Sequence, residues 1–141
     1  MDSVARAMAA TAFADGADEA SHRMCVAVIT AYTSDYAIGA TCAPINRRYA
    51  ARHGYAFMER VYAPAARSDA RHPTWNKVAL INEALHDLLH PDEARAPLVP
   101  SGTTHLLWVD ADAVVRRHEV RFEDLWRAHA GANVELLIGE D

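Results

Sequence analysis

Runs of apolar residues recur along the chain at intervals that suit buried β-strands. The first run, residues 24–31, reads MCVAVITA and is continuously apolar with several β-branched residues. This composition is typical of a strand that is covered on both faces of a sheet. Two further predicted strands follow along the chain, and a fourth begins after residue 133. The predicted strands are residues 24–31, 55–62, 104–109 and 134–138.

Helical spacing of apolar residues predicts three helices. The first helix ends at His53-Gly54, a typical C-terminal stop, and the second begins near Thr74 and ends before Pro91. The predicted buried face of the first helix carries Ile38, Cys42, Ile45 and Tyr49. That of the second carries Val78, Ile81, Leu85, Leu88 and Leu89. A short third helix is marked by Phe122, Leu125, Trp126 and His129.

The alternation of strands and helices predicts an α/β fold with a Rossmann-like, parallel-dominated sheet. Residues 63–73 and 91–102 are predicted loops. Strands separated by helices of this length are joined by right-handed crossovers, and such sheets bind ligands at the carboxyl ends of their strands. Asp110 and Asp112 follow the third strand directly, so we expect them at this edge.

Length and charge narrow the class of protein. The 141 residues allow one domain with a substantial core, and about half of them are apolar. A formal net charge of −5, without a basic stripe, argues against binding to nucleic acid. No apolar run approaches the ~18 residues that a membrane span requires. Residues 1–22 are predicted to be a flexible, Ala-rich tail without signal-peptide character, and residues 23–141 to form the domain.

Cysteines and histidines add two smaller predictions. Cys25 and Cys42 lie in no disulfide-like pattern, and we expect both to be free thiols in the core. His86 and His90 stand four residues apart, as in a zinc-binding helix. Aspartate at position 87 is a poor substitute for the usual glutamate, and Pro91 ends the helix at once. We therefore predict no zinc site there.

The motif with the clearest chemistry is Asp110-Ala111-Asp112. Extended backbone beyond a strand would turn both carboxylates to the same side. Mn²⁺ or Mg²⁺ prefers oxygen ligands, and two carboxylates leave positions for diphosphate oxygens and water. Such a cation neutralises the charge that develops on a nucleoside-diphosphate leaving group. The alternative is that both aspartates are solvated turn residues at a strand end.

Three sequence blocks support the first interpretation. They are residues 46–55 (NRRYAARHGY), 75–78 (WNKV) and 107–113 (LWVDADA). Their order and spacing resemble those of galactosyl- and xylosyltransferase family 34, which includes plant xyloglucan xylosyltransferases and fungal mannan galactosyl- or mannosyltransferases. The resemblance covers about residues 26–141.

The resemblance implies a GT-A fold and a glycosyltransferase that moves a hexosyl or pentosyl group, with retention, from a nucleotide-diphosphate sugar to a glycan hydroxyl. Asp110 and Asp112 would hold Mn²⁺ or Mg²⁺ and the diphosphate. Lys77 would point toward the donor cleft, although a solvated lysine at a helix start is the alternative. The nucleoside would lie along the end of the first strand, at Thr30, Ala31 and Tyr32.

The resemblance also predicts what lies outside this sequence. Family members continue for a comparable length, and that part supplies the third metal ligand, usually a histidine, and the acceptor-side carboxylates. Residues 23–141 would then be the nucleotide-sugar-binding half of a truncated GT-A domain. A Golgi lumenal location would follow from the family. Asn46 and Tyr49 are expected to brace the first helix on the sheet.

Two other functions remain open at this point. The stretch from Leu107 to Val115 also fits the strand-D-x-D motif of haloacid-dehalogenase-like phosphatases, with Asp110 as the nucleophile and Asp112 as the general acid/base. That motif normally follows the first strand of its domain, whereas here it follows the third. The second alternative is a catalytically inactive fragment that binds a nucleotide or a partner.

Overall fold

A computed structural model describes residues 24–64, 75–90, 96–130 and 135–136. In these residues three strands alternate with three helices, and all three strands are parallel. The α/β class predicted from the sequence is therefore confirmed. The elements are β1 (Val26–Thr33), α1 (Ala37–His53), β2 (Ala56–Tyr62), α2 (Trp75–Leu89), β3 (His105–Trp108) and α3 (Phe122–His129).

The sheet has the strand order β2-β1-β3, so β1 is central. Ala27 pairs with Ala56 of β2 and with Leu106 of β3. The chain passes from β1 to β2 on one side and then crosses to β3 on the other side. A central strand is covered on both faces, which explains why the β1 sequence is continuously apolar.

Side chains of β1 alternate between two apolar clusters, as the pleat of a strand requires. Val26 and Val28 point to a cluster with α1 and α3, whereas Ala27 and Ile29 point to a cluster with α2. The first cluster is built around Tyr49, Ala50, Tyr55, Val109 and Phe122. The second is built around Leu80, Ala84 and Val99. Helices α1 and α3 therefore cover one face of the sheet, and α2 covers the other.

The predicted buried face of α1 is wrong by about one residue. Ile38 is 52% exposed, and Cys42 and Ile45 are only partly buried. The buried positions are Gly39, Ala43, Asn46, Tyr49 and Ala50. Small residues face the sheet because the helix lies very close to it: a Cβ on Gly39 would be 2.4 Å from the ring of Tyr32. Tyr49 lies on the predicted buried face and on the observed one, so its burial is confirmed.

The predicted buried face of α2 is also rotated. Val78 and Leu89 are 54% and 53% exposed, and the buried positions are instead Leu80, Ala84 and Asp87. The Asp87 carboxylate accepts a hydrogen bond of 2.5 Å from the backbone N–H of Leu98. This bond ties the chain before β3 to α2, and it places an acidic residue on the inner face where an apolar pattern does not predict one.

Most predicted boundaries agree with the structure to within two residues. Gly54 ends α1 in the left-handed conformation, with φ of 70°, as the predicted stop requires. Of the predicted fourth strand only Glu135 and Leu136 are described, and they are irregular. The tail at residues 1–22 and most of the loop at residues 63–73 lie outside the described residues.

Two further sequence predictions can be compared with the described part of the chain. Cys25 and Cys42 are free thiols, as predicted, but Cys25 precedes β1 and is exposed, so it does not belong to the core. Among the described helices, none combines the length and apolar character needed to cross a membrane.

A buried carboxylate holds α3 to the rest of the fold. Glu123 accepts hydrogen bonds from Tyr55 and Arg121, and the Tyr55 hydroxyl also accepts the backbone N–H of Phe122 at 3.1 Å. Burial acts to raise the pKa of Glu123, but the hydrogen bonds from Arg121 and Tyr55 outweigh it and hold the pKa at about 2.

Acid should therefore weaken the fold through Glu123. A carboxyl whose pKa is lowered on folding stabilises the protein above its unfolded pKa of about 4.3, and the stabilisation is lost as the pH falls toward the folded value. We expect Glu123→Gln to have a lower melting temperature than the wild type at pH 7. The difference in melting temperature should shrink as the pH falls from 4.5 to 2. Melting curves across this range measure the difference, with Glu135→Gln, at an exposed carboxylate, as the control. A difference that is independent of pH would contradict the prediction.

Candidate functional site at the carboxyl edge of the sheet

The candidate site lies where the carboxyl ends of β1 and β3 meet. These strands are neighbours, and the direction of the chain across the sheet reverses here: it passes from β1 to β2 on one side of β1 and then, through α2, to β3 on the other side. Crevices at such reversal points bind ligands in open α/β sheets. Because α1 and α2 run back against the strands, their N-termini lie at this same edge. Helix N-termini carry partial positive charge, which favours anions.

Asp110 stands two residues beyond β3 and is tied to α2. The ammonium of Lys77 donates to its two carboxylate oxygens at 2.8 and 3.1 Å. The indole Nε1–H of Trp108 donates to Oδ1 at 2.7 Å. The Lys77 ammonium also lies 5.4 Å from the centre of the Trp108 ring, within the range of a cation–π contact. The three side chains form one compact group.

This environment keeps Asp110 ionised. Partial burial acts to raise the pKa of the carboxyl, but hydrogen bonds from Lys77 and Trp108, together with the Lys77 charge, outweigh it. The pKa of Asp110 consequently lies below its ordinary value. An ionised carboxylate is the form that binds a metal ion or acts as a nucleophile.

Asp112 contacts the start of α1. Its Oδ2 accepts a hydrogen bond of 3.1 Å from the hydroxyl of Tyr36, the residue just before the helix. This hydrogen bond is the main cause of a raised pKa at Tyr36, so the hydroxyl stays protonated and donates. Asp112 is exposed, and its carboxylate is accessible from solvent.

The backbone between the two aspartates is a turn. Ala113 donates its N–H to the carbonyl of Asp110 at 3.0 Å, which closes the turn. The sequence-based expectation of extended backbone at Asp110 and Asp112 is therefore wrong. The turn instead directs Asp110 toward Lys77 on α2 and Asp112 toward Tyr36 at α1.

Asn46 of α1 holds this turn in place through its side-chain amide. Its side chain is 1% exposed, and its amide group makes two hydrogen bonds to the chain just after Asp112. The Nδ2–H donates to the carbonyl of Ala113, and Oδ1 accepts the N–H of Val115, both at 2.9 Å. Asn46 was expected to brace α1 on the sheet, and the structure places it against the motif.

The residues predicted along the nucleoside lie deeper in the fold. Thr30 is 1% exposed within the sheet, and Ala31 packs partly buried on the α2 side. The Tyr32 hydroxyl donates to Glu59 of β2 at 2.5 Å, a bond that is the main cause of raising the Tyr32 pKa to about 12. The turn that follows β1 leads from these residues to Tyr36 at the carboxyl edge. The structure thus brings Lys77, Asp110 and Trp108 together and places Asp112 with Tyr36.

Asp110 and Asp112 offer part of a site for a hard cation. Their carboxylates are held toward α2 and α1 respectively, so a single cation would reach both only after one of the side chains turns. Asp110 and Asp112 supply carboxylate oxygens, the ligand type that Mn²⁺ and Mg²⁺ prefer. Within the described ranges no three His, Cys, Asp or Glu side chains are grouped to hold a metal by themselves. The rings of His86 and His90 are 4.6 Å apart, but they belong to no such group. The remaining ligands of a cation at Asp110 and Asp112 would come from a substrate and from water.

A concavity with a volume of about 220 Å³ lies at the opposite edge of the sheet, near Cys25 and His53. Its charged side chains, Arg121 and Glu123, are bonded to each other at 2.8 Å. We give more weight to the carboxyl edge, because its carboxylates are exposed and stand at the reversal point of the sheet.

Comparison of the chain with protein-family models, with curated proteins and with solved structures finds no match. The function is therefore argued from the geometry of this site and from the three sequence blocks. The sequence motifs do not identify Tyr36 and Trp108 as site residues. Their positions beside a strand end are visible in the sequence, but their contacts with the aspartates depend on the turn.

Proposed function

We propose that this chain is the donor-binding part of a metal-dependent glycosyltransferase of GT-A type. The observation that carries the proposal is the pair Asp110 and Asp112 in a braced turn at the reversal point of the sheet, beside Lys77. The open parallel sheet is compatible with the Rossmann-like half of that fold. The resemblance of three sequence blocks to family 34 points in the same direction.

The charges of the site fit a nucleoside diphosphate only if a cation mediates. The chain has a net charge of −5, and two carboxylates at the site would repel a diphosphate. A divalent cation held by Asp110 and Asp112 removes this repulsion and neutralises the leaving group during sugar transfer. The ammonium of Lys77 and the N-termini of α1 and α2 add positive charge at the same edge.

Each site residue then has a defined task. Asp110 and Asp112 hold the cation, and Asn46 fixes the turn that carries them. Lys77 faces the diphosphate, and Trp108 orients the Asp110 carboxylate through its indole N–H. The nucleoside would lie beyond the end of β1, and a glycan would be the acceptor.

Binding of a uridine or guanosine diphosphate is expected to require a divalent cation. Calorimetry with UDP and with GDP, in Mn²⁺ and in chelator, measures it on the same protein. We expect heat of binding for one of the two nucleotides in Mn²⁺ and none in chelator. Binding of equal strength in chelator would contradict a metal-mediated site.

A phosphatase is the second candidate, because the hydrogen bond from Lys77 would also keep an Asp110 nucleophile ionised. The two functions differ in what they bind without a nucleotide. A phosphatase of this kind would bind beryllium fluoride, a phosphoryl analogue, with Mg²⁺ at Asp110. The glycosyltransferase proposal predicts no such complex, and fluorine NMR distinguishes the two.

An inactive nucleotide-binding fragment would bind the nucleotide with Mn²⁺ but would not hydrolyse or transfer the sugar.

A further inference from the structure

The Asp110 carboxylate is already occupied by a cation that belongs to the chain. Lys77 donates to both of its oxygens, which are the atoms that a metal ion at this position would require. We propose that Lys77 is a tethered counter-ion that holds the Asp110 carboxylate until a divalent cation displaces it, and that the released ammonium couples cation binding to diphosphate binding. This inference rests on the proposed function.

The geometry makes Lys77 exchangeable. The side chains of Lys77 and Asp110 are 38% and 54% exposed, so water can solvate either group when the pair opens. Exposed ion pairs contribute only about 0.2–1 kcal/mol, so the pair is a weak competitor of a metal ion. Trp108 keeps its own hydrogen bond to Oδ1, so the carboxylate stays oriented when Lys77 leaves.

Electrostatic repulsion disfavours an arrangement in which Lys77 and the cation share the Asp110 carboxylate at short range. Two positive centres bound to the same two oxygens would stand only a few ångströms apart, and their repulsion at that distance is substantial. Cation binding to Asp110 and Asp112 therefore favours displacement of the Lys77 ammonium. Because Lys77 lies in the first turn of α2, the ammonium stays at the carboxyl edge when it moves.

A diphosphate resolves the conflict between the two positive charges. Its oxygens can ligate the cation and, at the same time, accept charge-assisted hydrogen bonds from the released ammonium. The cation and the diphosphate should then strengthen the binding of each other, and the coupling must be reciprocal. Binding of the cation alone requires the Lys77–Asp110 pair to break, and this costs free energy. The affinity for the cation alone should therefore be lower than it would be if Asp110 were unpaired.

The test is the variant Lys77→Met, which keeps the length of the side chain and removes its charge. Calorimetry measures Mn²⁺ binding without nucleotide and then UDP or GDP binding at saturating Mn²⁺. We expect Mn²⁺ alone to bind up to about fivefold more tightly, because its competitor is gone. We expect the nucleotide to bind about tenfold more weakly, because a charge-assisted hydrogen bond is lost.

The opposite direction of the two changes separates this role from a purely structural one, which would weaken both affinities. Arg127→Met, on α3 and away from the site, removes the same charge and should change neither affinity. Circular dichroism confirms the fold of each variant. Lys77→Gln provides a second neutral variant with the same expected pattern.

The outcomes also separate this inference from the proposed function. If the wild type binds Mn²⁺ and nucleotide but Lys77→Met binds Mn²⁺ alone no more tightly, the counter-ion role is wrong and the donor site stands. If the wild type binds no Mn²⁺ with or without nucleotide, both proposals fail. Tighter Mn²⁺ binding together with unchanged nucleotide affinity would overturn the coupling.

Discussion

Replacing Asp112 with asparagine is expected to abolish Mn²⁺-supported binding of the nucleoside diphosphate while leaving the fold intact. The substitution removes a charged oxygen ligand, and even changes in groups that only support metal ligands cost 10–100-fold in affinity. We therefore expect a loss of at least about 100-fold. The exposed Asp112 makes one described side-chain hydrogen bond, to Tyr36, so little stability is at risk. Calorimetry and melting curves measure the two effects separately.

Two comparison variants make this result decisive. Asp124→Asn, on the exposed side of α3, changes the charge equally and should leave nucleotide binding unchanged. Trp108→Ala should damage the fold first, because Trp108 packs against the α2-side cluster, and truncating such an aromatic costs about 3 kcal/mol. If Asp112→Asn lowered the metal-free melting temperature as much as Trp108→Ala, Asp112 would be a structural strand-end residue.

Replacing Asn46 with alanine is expected to cost about 2–5 kcal/mol of stability and to weaken Mn²⁺ binding as well. The Asn46 amide satisfies the carbonyl of Ala113 and the N–H of Val115 in a buried setting. Each buried polar group left without a partner costs about 1–3 kcal/mol, and a small cavity adds to the loss. The freed turn would no longer hold the carboxylate of Asp112 in place.

Urea unfolding measures the stability of Asn46→Ala, and calorimetry measures the cation affinity of the folded protein. Asn82→Ala is a matched control, because Asn82 lies on the exposed face of α2 and its replacement should weaken neither stability nor Mn²⁺ binding. A stability loss without any change in Mn²⁺ affinity would show that Asn46 supports only the core. Unchanged stability would contradict the bracing role itself.

The order and type of the elements could be predicted from the sequence because strong patterns encode them. The run at the start of β1 is apolar throughout since the strand is covered on both faces. Gly54 marks the end of α1 since only glycine adopts its left-handed conformation without strain. The position of Asp110 at the carboxyl edge followed from the same alternation. These features depend on local sequence and on general rules of α/β topology.

The faces of the helices could not be predicted in the same way. Apolar spacing favoured Ile38 on α1 and Val78 on α2, but both are exposed. Gly39 faces the sheet because the ring of Tyr32 leaves no room for a side chain. Asp87 faces inward because it accepts a backbone hydrogen bond from Leu98. Such choices depend on tertiary neighbours, which an apolar pattern does not contain.

The sequence predicts only part of the site, because some of its contacts also depend on tertiary neighbours. Short sequence motifs identify Asp110, Asp112 and Lys77, and the structure joins Lys77 to Asp110 directly. The contacts of Tyr36 and Asn46 with the motif span 76 and 67 residues along the chain. They arise only when β1 and β3 pair and α1 packs on the sheet, so spacing in the sequence cannot reveal them.

The central claim is that Asp110 and Asp112 together hold the cation that binds the nucleoside diphosphate. Anomalous diffraction from crystals soaked with Mn²⁺ and the nucleotide tests it most directly, because it locates the metal independently of activity. We predict one dominant anomalous peak about 2.2 Å from carboxylate oxygens of both aspartates, with the Lys77 ammonium displaced from Asp110. A dominant peak at His86 and His90, or nucleotide bound at the carboxyl edge without any metal peak, would contradict the account.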